Sequence, residues 1–293
     1  QAAARRRQPR GDGRAGGLPR RVLVPRHGAL RAPPPGWRRG LCNSEYRIFG
    51  VHMEQTAHLT VGVVIRTFHS EAYLEESLQS VLNQTYKVSE LVIIDGGSTD
   101  ETLNIIRRVA PEARVLRQSR PGIGGMARQG IEALSTDLIA FQDSDDIWPK
   151  QRLEVMIDAL RRNPGWDAVM GGVEHFLSPE LDPILKKRYQ IPEGLKPGVG
   201  LPSFLAHRRA FEKAGAFHDG LMAGEYMEWQ SRAMKKGVVI GSLSVLTLKR
   251  RVHTGNHSQS SVARSHMMQA LKLIISRRRG DETSENLSAL DRL

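Results

Sequence analysis

The stretch ELVIIDGGSTD (residues 90–100) has a short apolar run that leads directly into a turn of glycines and acidic residues. A second stretch, DLIAFQDSDDIW (residues 137–148), likewise has an apolar run followed by an acidic turn, here without glycine. Short apolar runs bounded by turn residues are typical of buried strands. We therefore predict that Leu91–Ile94 and Leu138–Phe141 are strands of one buried sheet.

Strand and helix patterns alternate outward from these two strands. Further strands are predicted at Leu59–Ile65 and Arg114–Leu116. Apolar residues at helical spacing predict four helices in the first half of the chain, at Glu71–Leu82, Thr102–Val109, Gly125–Leu134 and Lys150–Leu160. This alternation indicates right-handed βαβ crossovers and a Rossmann-like α/β fold, with a mostly parallel sheet flanked by helices. Ligands of such sheets bind beyond the carboxyl ends of the strands.

The second half of the chain is less regular. Helical spacing predicts three helices there, at Arg208–Ala214, Glu225–Lys236 and Val262–Ser276. An extended segment is predicted at Val238–Leu248.

The net charge of +12 is concentrated at one end of the 293-residue chain. Residues 1–52 contain twelve arginines, no lysine and only two acids, whereas the remainder is nearly neutral. The body of the protein therefore lacks the overall positive charge of a nucleic-acid-binding protein, and we expect no nucleic-acid partner. Cys42 is the only cysteine, so no internal disulfide can form. No apolar run reaches the roughly 18 residues of a membrane-spanning helix, so we expect a soluble, cytoplasmic protein.

Residues 1–52 are rich in Arg, Gly, Pro and Ala and show no hydrophobic periodicity, which predicts a disordered leader. Three interpretations stay open. Met53 begins a segment of ordinary composition, so the leader is a disordered tail or an upstream sequence that is not native. An Arg-rich, acid-poor leader is also typical of a transit peptide. An RNA-binding tail is the third interpretation, although no aromatic residues alternate with the arginines.

An acidic turn follows each of the two quoted strands. DGGSTD (residues 95–100) permits a tight turn with Asp95 at the strand tip, placed to bind a base or ribose; an ordinary helix-capping turn is the alternative. DSDD (residues 143–146) brings three carboxylates together, which favours a hard cation such as Mg²⁺ or Mn²⁺; a solvated acidic turn is the alternative. Because both turns lie at one edge of a parallel sheet, they predict a nucleotide pocket beside a metal site.

From Leu59 to about Ser258 the chain resembles the inverting glycosyltransferase family 2, which has the GT-A fold. Six segments carry the resemblance in the family's order: VGVVIRTFH (61–69), ELVIIDGGSTDET (90–102), GIGGMARQGI (122–131), DLIAFQDSDDIWPKQRLE (137–154), SFLAHRRAFEKAGAFHDG (203–220) and RRVHTGNHS (250–258). The resemblance implies a metal-dependent, inverting glycosyltransferase. Its donor would be a nucleoside-diphosphate sugar, by the commonest family usage a UDP-sugar. Its acceptor would be a hydroxyl of a glycan, a lipid-linked glycan or another molecule.

The same resemblance implies roles for individual residues. The nucleotide sugar would be bound by Thr67, Asp95, Arg128, Asp143 and Ser144. The metal, Mn²⁺ or Mg²⁺, would be held by Asp143 and Asp145, which form a DxD motif, and by His253.

The sequence departs from the family pattern at the general base. Tyr226 stands where the family usually has the Asp of a Glu-Asp pair, and a tyrosine is a poor base near neutral pH. The base is therefore expected to be Glu225 or, one turn along the same helix face, Glu228. In the alternative reading, both glutamates pair with Arg232 on the helix surface. The altered motif also leaves open a nucleotide-sugar-binding protein with weak or lost catalysis.

Two further departures concern the donor side. Arg66 replaces the usual proline after the first strand and is either a phosphate contact or a peripheral ion pair. Gly96 stands where many members have a second Asp that reads uracil, so the base of the nucleotide stays open. A nucleotidyltransferase on a similar sheet is disfavoured, because RTFHS (residues 66–70) carries no glycine-rich phosphate loop.

The predicted organisation has four parts. Residues 1–52 form the leader, 53–165 the nucleotide-sugar-binding half of a GT-A domain, 166–258 the acceptor-binding half of the same domain, and 259–293 a C-terminal helix and tail. A lipid-linked or polymeric acceptor would also call for peripheral docking at the inner face of a membrane.

Overall fold

One mixed α/β sheet organises the part of the protein that the structure describes. The computed structural model describes residues 58–189, 191–256 and 260–279, so the predicted leader and the end of the predicted tail lie outside the described residues. The first half alternates strand and helix in this order: β1 Val61–Thr67, α1 Leu74–Leu82, β2 Glu90–Asp95, α2 Thr102–Val109, β3 Arg114–Arg117, α3 Gly122–Ala133, β4 Leu138–Asp143 and α4 Arg152–Arg162. These strands pair in parallel in the order β3-β2-β1-β4, which confirms the predicted α/β class.

The second half extends the sheet with shorter and antiparallel strands. Its elements are β5 Ala168–Leu177, α5 Pro183–Arg188, β6 Lys196–Pro197, a 3₁₀ turn Leu201–Ser203, β7 Phe204–His207, α6 Arg208–Ala214, α7 Glu225–Lys235, β8 Ile240–Val252 and α8 Ser261–Arg279. Strand β7 pairs antiparallel with β4 and β5, and β8 pairs parallel with β5. Among the described helices, none is both long enough and apolar enough to cross a bilayer.

Strand β5 was missed from the sequence for an identifiable reason. Gly171 and Gly172 interrupt its apolar run, and the pairing with β8 shifts register at this point. Glycine weakens a strand pattern and often marks a bulge. Strand β7 was missed because its four residues directly precede the predicted helix α6.

The two faces of the sheet bury two apolar cores. Val63 and Ile65 of β1 belong to the core that contains α1 and α4 residues, whereas Val64 belongs to the core with α3, α6 and α7 residues. This division follows from the alternation of side chains along a strand. In α3, a Cβ on Gly130 would overlap the Val64 side chain, so glycine lets this helix approach β1 closely. This close approach packs α3 directly against β1.

Candidate active site

The acidic turn after β4 gathers three carboxylates at the carboxyl edge of the sheet. Asp143, Asp145 and Asp146 each offer an oxygen, and these three atoms lie within 4.8 Å of one another. The pKa of Asp146 is raised well above its usual range, mainly by burial and secondly by the negative charges of Asp145 and Asp143. Carboxylate oxygens at this spacing are the ligands that Mg²⁺ and Mn²⁺ prefer. The residues therefore fit a divalent metal ion.

The end of β8 closes over this acidic turn. His253 Nε2 lies 2.9 Å from Asp145 Oδ2, and the Asn256 side-chain amide donates to the same oxygen at 3.0 Å. The Arg251 backbone N–H donates to Asp146 Oδ1 at 2.9 Å, and its side-chain Nε donates to the Asp145 backbone carbonyl at 3.0 Å. The structure thus brings together the three residues for which a metal role was expected: Asp143, Asp145 and His253.

The glycine turn after β2 is organised by its own aspartate. Asp95 is buried, and its Oδ2 accepts hydrogen bonds from the backbone N–H groups of Gly97 at 2.9 Å and Ser98 at 3.0 Å. The Ser98 hydroxyl donates to Oδ1 at 2.6 Å. Gly97 has a φ of 98°, which a glycine adopts without strain. Asp95 therefore fixes the shape of the turn at the place where it was expected to meet a nucleotide.

Thr67 and Ser144 lie close to these two turns. Thr67 pairs with Asp95 across β1 and β2, and its buried hydroxyl has no hydrogen-bond partner among the described residues. The Ser144 hydroxyl lies 2.7 Å from the hydroxyl of Ser70, in the segment that follows β1. Both side chains are placed at the edge where a donor is expected.

Arg128 makes a different set of contacts. Its Nε donates to Glu132 at 2.9 Å, and its Nη1 lies 3.7 Å from Asp219. It lines a cavity of about 560 Å³ together with residues that include Arg232 and Arg277, and none of the DSDD residues lines this cavity. The structure therefore does not bring Arg128 into contact with the acidic turn.

Arg66 joins the acidic turn to the start of α7. It is only 8% exposed, so it is not a peripheral ion pair. Its Nη2 donates to Asp143 Oδ1 at 2.5 Å and its Nη1 donates to Glu225 Oε1 at 3.0 Å. Burial alone would lower the pKa of Arg66, but the charges of Asp143 and Glu225 raise it above its ordinary value. Glu225, one of the two expected bases, is thereby held beside the acidic turn.

Glu228, the other expected base, lies in a different environment. Its side chain is fully buried and forms ion pairs with Arg232 and Arg277, with His218 Nε2 at 3.3 Å. Burial acts to raise the pKa of Glu228, but hydrogen bonds from His218 and Arg232 lower it to about 2. A carboxylate neutralised in this way is a weak proton acceptor. In the alternative interpretation of the sequence, both glutamates pair with Arg232 on the helix surface. Glu228 does pair with Arg232, but in the protein interior, and Glu225 pairs with Arg66 instead.

Tyr226 is part of the apolar core. It is 4% exposed, and its ring packs on Phe204 at a centroid distance of 5.3 Å and near Trp229 at 6.3 Å. Burial raises the pKa of Tyr226, and its hydroxyl has no partner among the described residues. The residue that replaces the usual Asp therefore contributes packing and offers no base.

Three side chains of this site were not singled out from the sequence. These are Arg251, Asn256 and Glu76, whose carboxylate pairs with the Arg251 guanidinium. The guanidinium of Arg251 also lies 4.7 Å from the ring centroids of Tyr73 and Phe176. Two of them could have been predicted from the segment RRVHTGN (residues 250–256), because it contains Arg251 and Asn256 close to His253.

The sequence is similar to those of known glycosyltransferases. The family model described as "Glycosyl transferase family 2" matches residues 62–220. An uncharacterized glycosyltransferase of Nostoc sp. is 31% identical over 123 residues, which cover 41% of this chain and 37% of that protein. The chondroitin synthase of Escherichia coli is 30% identical over 106 residues, covering 35% of this chain and 16% of that enzyme. The chain thus spans well under half of the length of these curated relatives.

Solved structures resemble the same region. Staphylococcus aureus TarS, residues 1–349, in complex with UDP-GlcNAc has a TM-score of 0.59 at 20% identity and covers 74% of this chain and 65% of that chain. Glucosyl-3-phosphoglycerate synthase from Mycobacterium tuberculosis, in complex with Mn²⁺, UDP and glucosyl-3-phosphoglycerate, has a TM-score of 0.55 at 21% identity. It covers 77% of this chain and 82% of that chain. At this identity the likeness establishes the fold, which is the expected GT-A fold.

Proposed function

The chain belongs to glycosyl transferase family 2 and is therefore a glycosyltransferase; from this premise we propose that it transfers a sugar from a UDP-sugar to an acceptor hydroxyl with inversion. The acceptor is a glycan, a lipid-linked glycan or another hydroxyl compound. The proposal places the enzyme in the cytoplasm, free or docked at the inner face of a membrane.

One observation carries this proposal. The DSDD acids, His253 and Glu225 meet at one edge of the sheet, where Arg66 bridges Asp143 and Glu225. A metal-dependent inverting transfer uses this combination, since the metal neutralises the departing diphosphate and a carboxylate takes the proton of the attacking hydroxyl. The solved relatives with this fold include complexes with UDP-GlcNAc and with Mn²⁺ and UDP.

On the donor side, we propose that the turns after β2 and β4 contact different parts of the nucleotide sugar. Asp95 and Thr67 would contact the nucleoside, and Ser144 the nucleotide sugar, while Arg128 would reach it only after leaving its present partners. Asp143, Asp145 and His253 would hold Mn²⁺ or Mg²⁺, which when bound supplies positive charge that stabilises the diphosphate. The residues 53–165 would then form the donor half of the domain, and 166–258 the acceptor half.

On the acceptor side, we propose that Glu225 is the general base. Glu225 lies at the first position of α7, and Arg66 places it next to the acidic turn. Glu228 is the weaker candidate, because its carboxylate is fully buried and pairs with His218, Arg232 and Arg277, whereas only one oxygen of Glu225 accepts a hydrogen bond among the described residues. A positioned general base contributes about 10²- to 10⁴-fold to a rate.

The experiment is a donor panel. The purified protein is incubated with UDP-sugars and other nucleotide sugars in the presence of Mn²⁺, and the release of nucleoside diphosphate is measured. We expect release with a UDP-sugar, loss of release in Asp145→Ala, and a fall of about 10²-fold or more in Glu225→Gln. The controls are Asp158→Ala and Glu212→Gln, because both residues are exposed and lie outside the site.

The outcomes separate the two candidate functions. Tight UDP binding with no release from any donor would favour the alternative of a nucleotide-sugar-binding protein without catalysis. Release that survives Asp145→Ala unchanged would contradict the assignment of the metal site. Preference for a nucleotide other than a uridine nucleotide would correct the donor and leave the reaction type intact.

A further inference from the structure

The Arg66 guanidinium lies between Asp143 of the acidic turn and Glu225 at the start of α7. Arg66 and Asp143 are register partners on the parallel strands β1 and β4, whereas Glu225 begins α7, 159 residues further along the chain from Arg66. The two donated hydrogen bonds, 2.5 Å to Asp143 and 3.0 Å to Glu225, use the two terminal nitrogens of one planar group. The spacing of the two carboxylates is therefore set by a single rigid fork.

Strand pairing does not require this bridge. Strands β1 and β4 already pair over six residue positions without it, so the contact with Asp143 adds little to the alignment of the sheet. Arg66 Nε is buried without a hydrogen-bond partner among the described residues, and an unsatisfied buried donor costs about 1–3 kcal/mol. Replacing a buried ion pair by apolar residues is often neutral or stabilising. The contribution of Arg66 is the hydrogen bond to Glu225, which fixes the position of that carboxylate.

We propose that Arg66 is a positioning residue that holds Glu225 at a fixed distance from Asp143, ready to act on the acceptor hydroxyl. This inference rests on the proposed function, in which Glu225 is the base. Arg66 engages Oε1 of Glu225, and no hydrogen bond to Oε2 is present among the described residues. Oε2 is therefore the oxygen that takes the hydroxyl proton. The acceptor oxygen then bonds to the anomeric carbon as the bond from that carbon to the diphosphate breaks, and the diphosphate leaves with the electron pair.

Lysine cannot replace this function of arginine. A lysine ammonium on a flexible stem keeps the positive charge but lacks the planar pair of donors that spans two carboxylates. A catalytic group displaced by about 1 Å can cost about 10²-fold in rate. Arg66→Lys is therefore expected to lower the turnover number by about 10- to 100-fold, with a smaller loss of affinity for UDP with Mn²⁺, because the lysine still places a positive charge beside Asp143.

The test combines Arg66 and Glu225 in one cycle. For the full chain and for Arg66→Lys, Glu225→Gln and the double variant, we would measure diphosphate release from the best UDP-sugar and UDP affinity by calorimetry. If Arg66 acts through Glu225, the double variant is no slower than Glu225→Gln alone, because the two effects are not additive. The matched control is Arg209→Lys, which alters a half-exposed arginine paired with Asp167.

A second variant covers the case in which Arg66→Lys does not fold. Glu225→Asp keeps the carboxylate and withdraws it from Arg66 by one methylene, and it is expected to lower turnover with UDP affinity retained. Losses that multiply in the double variant, or equal losses of turnover and UDP affinity, would overturn the inference and leave the proposed function standing. A wild-type chain that releases diphosphate from no donor would overturn the proposed function, and the inference with it.

Discussion

His253 Nε2 lies 2.9 Å from Asp145 Oδ2, although 108 residues separate the two in the chain. Asn256 donates to the same carboxylate oxygen, and Tyr73 packs against the His253 ring at a centroid distance of 4.5 Å. The imidazole is therefore held next to one of the two acids for which the resemblance implied a metal role.

This contact predicts that His253 contributes to metal-dependent nucleotide binding. A ligand that binds only the native protein stabilises it by about 2.7 kcal/mol at one hundred times its dissociation constant. We expect UDP with Mn²⁺ to raise the melting temperature of the wild type, and His253→Ala and Asp145→Asn to reduce this increase. The measurement is a thermal-shift titration. His58→Ala is the control, because His58 is exposed and stacks on Tyr86. An undiminished shift in both site variants would argue against the metal site.

Glu228 predicts a large effect on stability. Removing one partner of a buried ion pair costs about 3–5 kcal/mol, because the remaining charges are left without compensation. Glu228→Gln removes the carboxylate that pairs with the Arg232 guanidinium in the interior. We therefore expect the free energy of unfolding at pH 7, measured in urea, to fall by about this amount. The exposed Glu212→Gln should leave it nearly unchanged.

The same residue predicts a dependence on pH. The pKa of Glu228 falls from an ordinary value of 4.5 to about 2 in the folded protein. A depressed folded pKa gives stability that is complete above the unfolded value and is lost as the pH falls through the folded value. The difference in unfolding free energy between wild type and Glu228→Gln should therefore be constant above about pH 5 and shrink between pH 4.5 and about pH 2. A difference that grows on acidification would contradict this account.

Tyr226→Phe tests whether the tyrosine has any chemical role. Its buried hydroxyl has no partner among the described residues, so its removal relieves an unsatisfied polar group. We expect an increase in unfolding free energy of about 1 kcal/mol and unchanged diphosphate release. Tyr226→Asp, which restores the usual family residue, should destabilise the protein because it buries a charge in the aromatic core. Loss of turnover in Tyr226→Phe would show that the hydroxyl takes part in the reaction.

Gly130→Ala tests the close approach of α3 to β1. The added Cβ would overlap the Val64 side chain, and overpacking of this kind costs about 1–3 kcal/mol. The higher helix propensity of alanine offsets about 1 kcal/mol of this cost, so we expect a net fall in the free energy of unfolding, measured in urea. Gly165→Ala is the matched control, since a Cβ there has nothing within 4 Å. Equal unfolding free energies for the two variants would contradict the packing argument.

Local patterns were sufficient to predict the first half of the fold. Apolar runs and helical spacing identified the four parallel strands, and the acidic turns after β2 and β4 followed from the position of DGGSTD and DSDD at strand ends. The proximity of His253 to Asp145 came from the resemblance to a family, since no local pattern links residues 108 positions apart.

The roles of the two glutamates could not be predicted from spacing. Glu225 and Glu228 share a helix face by sequence, but only tertiary packing places Arg66 against the first and Arg277 against the second. The departure at Arg66 carried a related ambiguity, because the sequence does not reveal that the strand end is buried against α7. Ion pairs between distant segments depend on the assembled fold, so the different partners of the two glutamates are not visible in the local sequence.

Among the described residues, β8 is the last strand of the sheet in chain order; it pairs in parallel with β5, and His253 follows its end and contacts the acidic turn. A polypeptide that has left the ribosome only as far as β7 therefore presents the three aspartates without the imidazole. During synthesis, the proposed cation-binding set would therefore be complete only after β8 and the segment that follows it have been made.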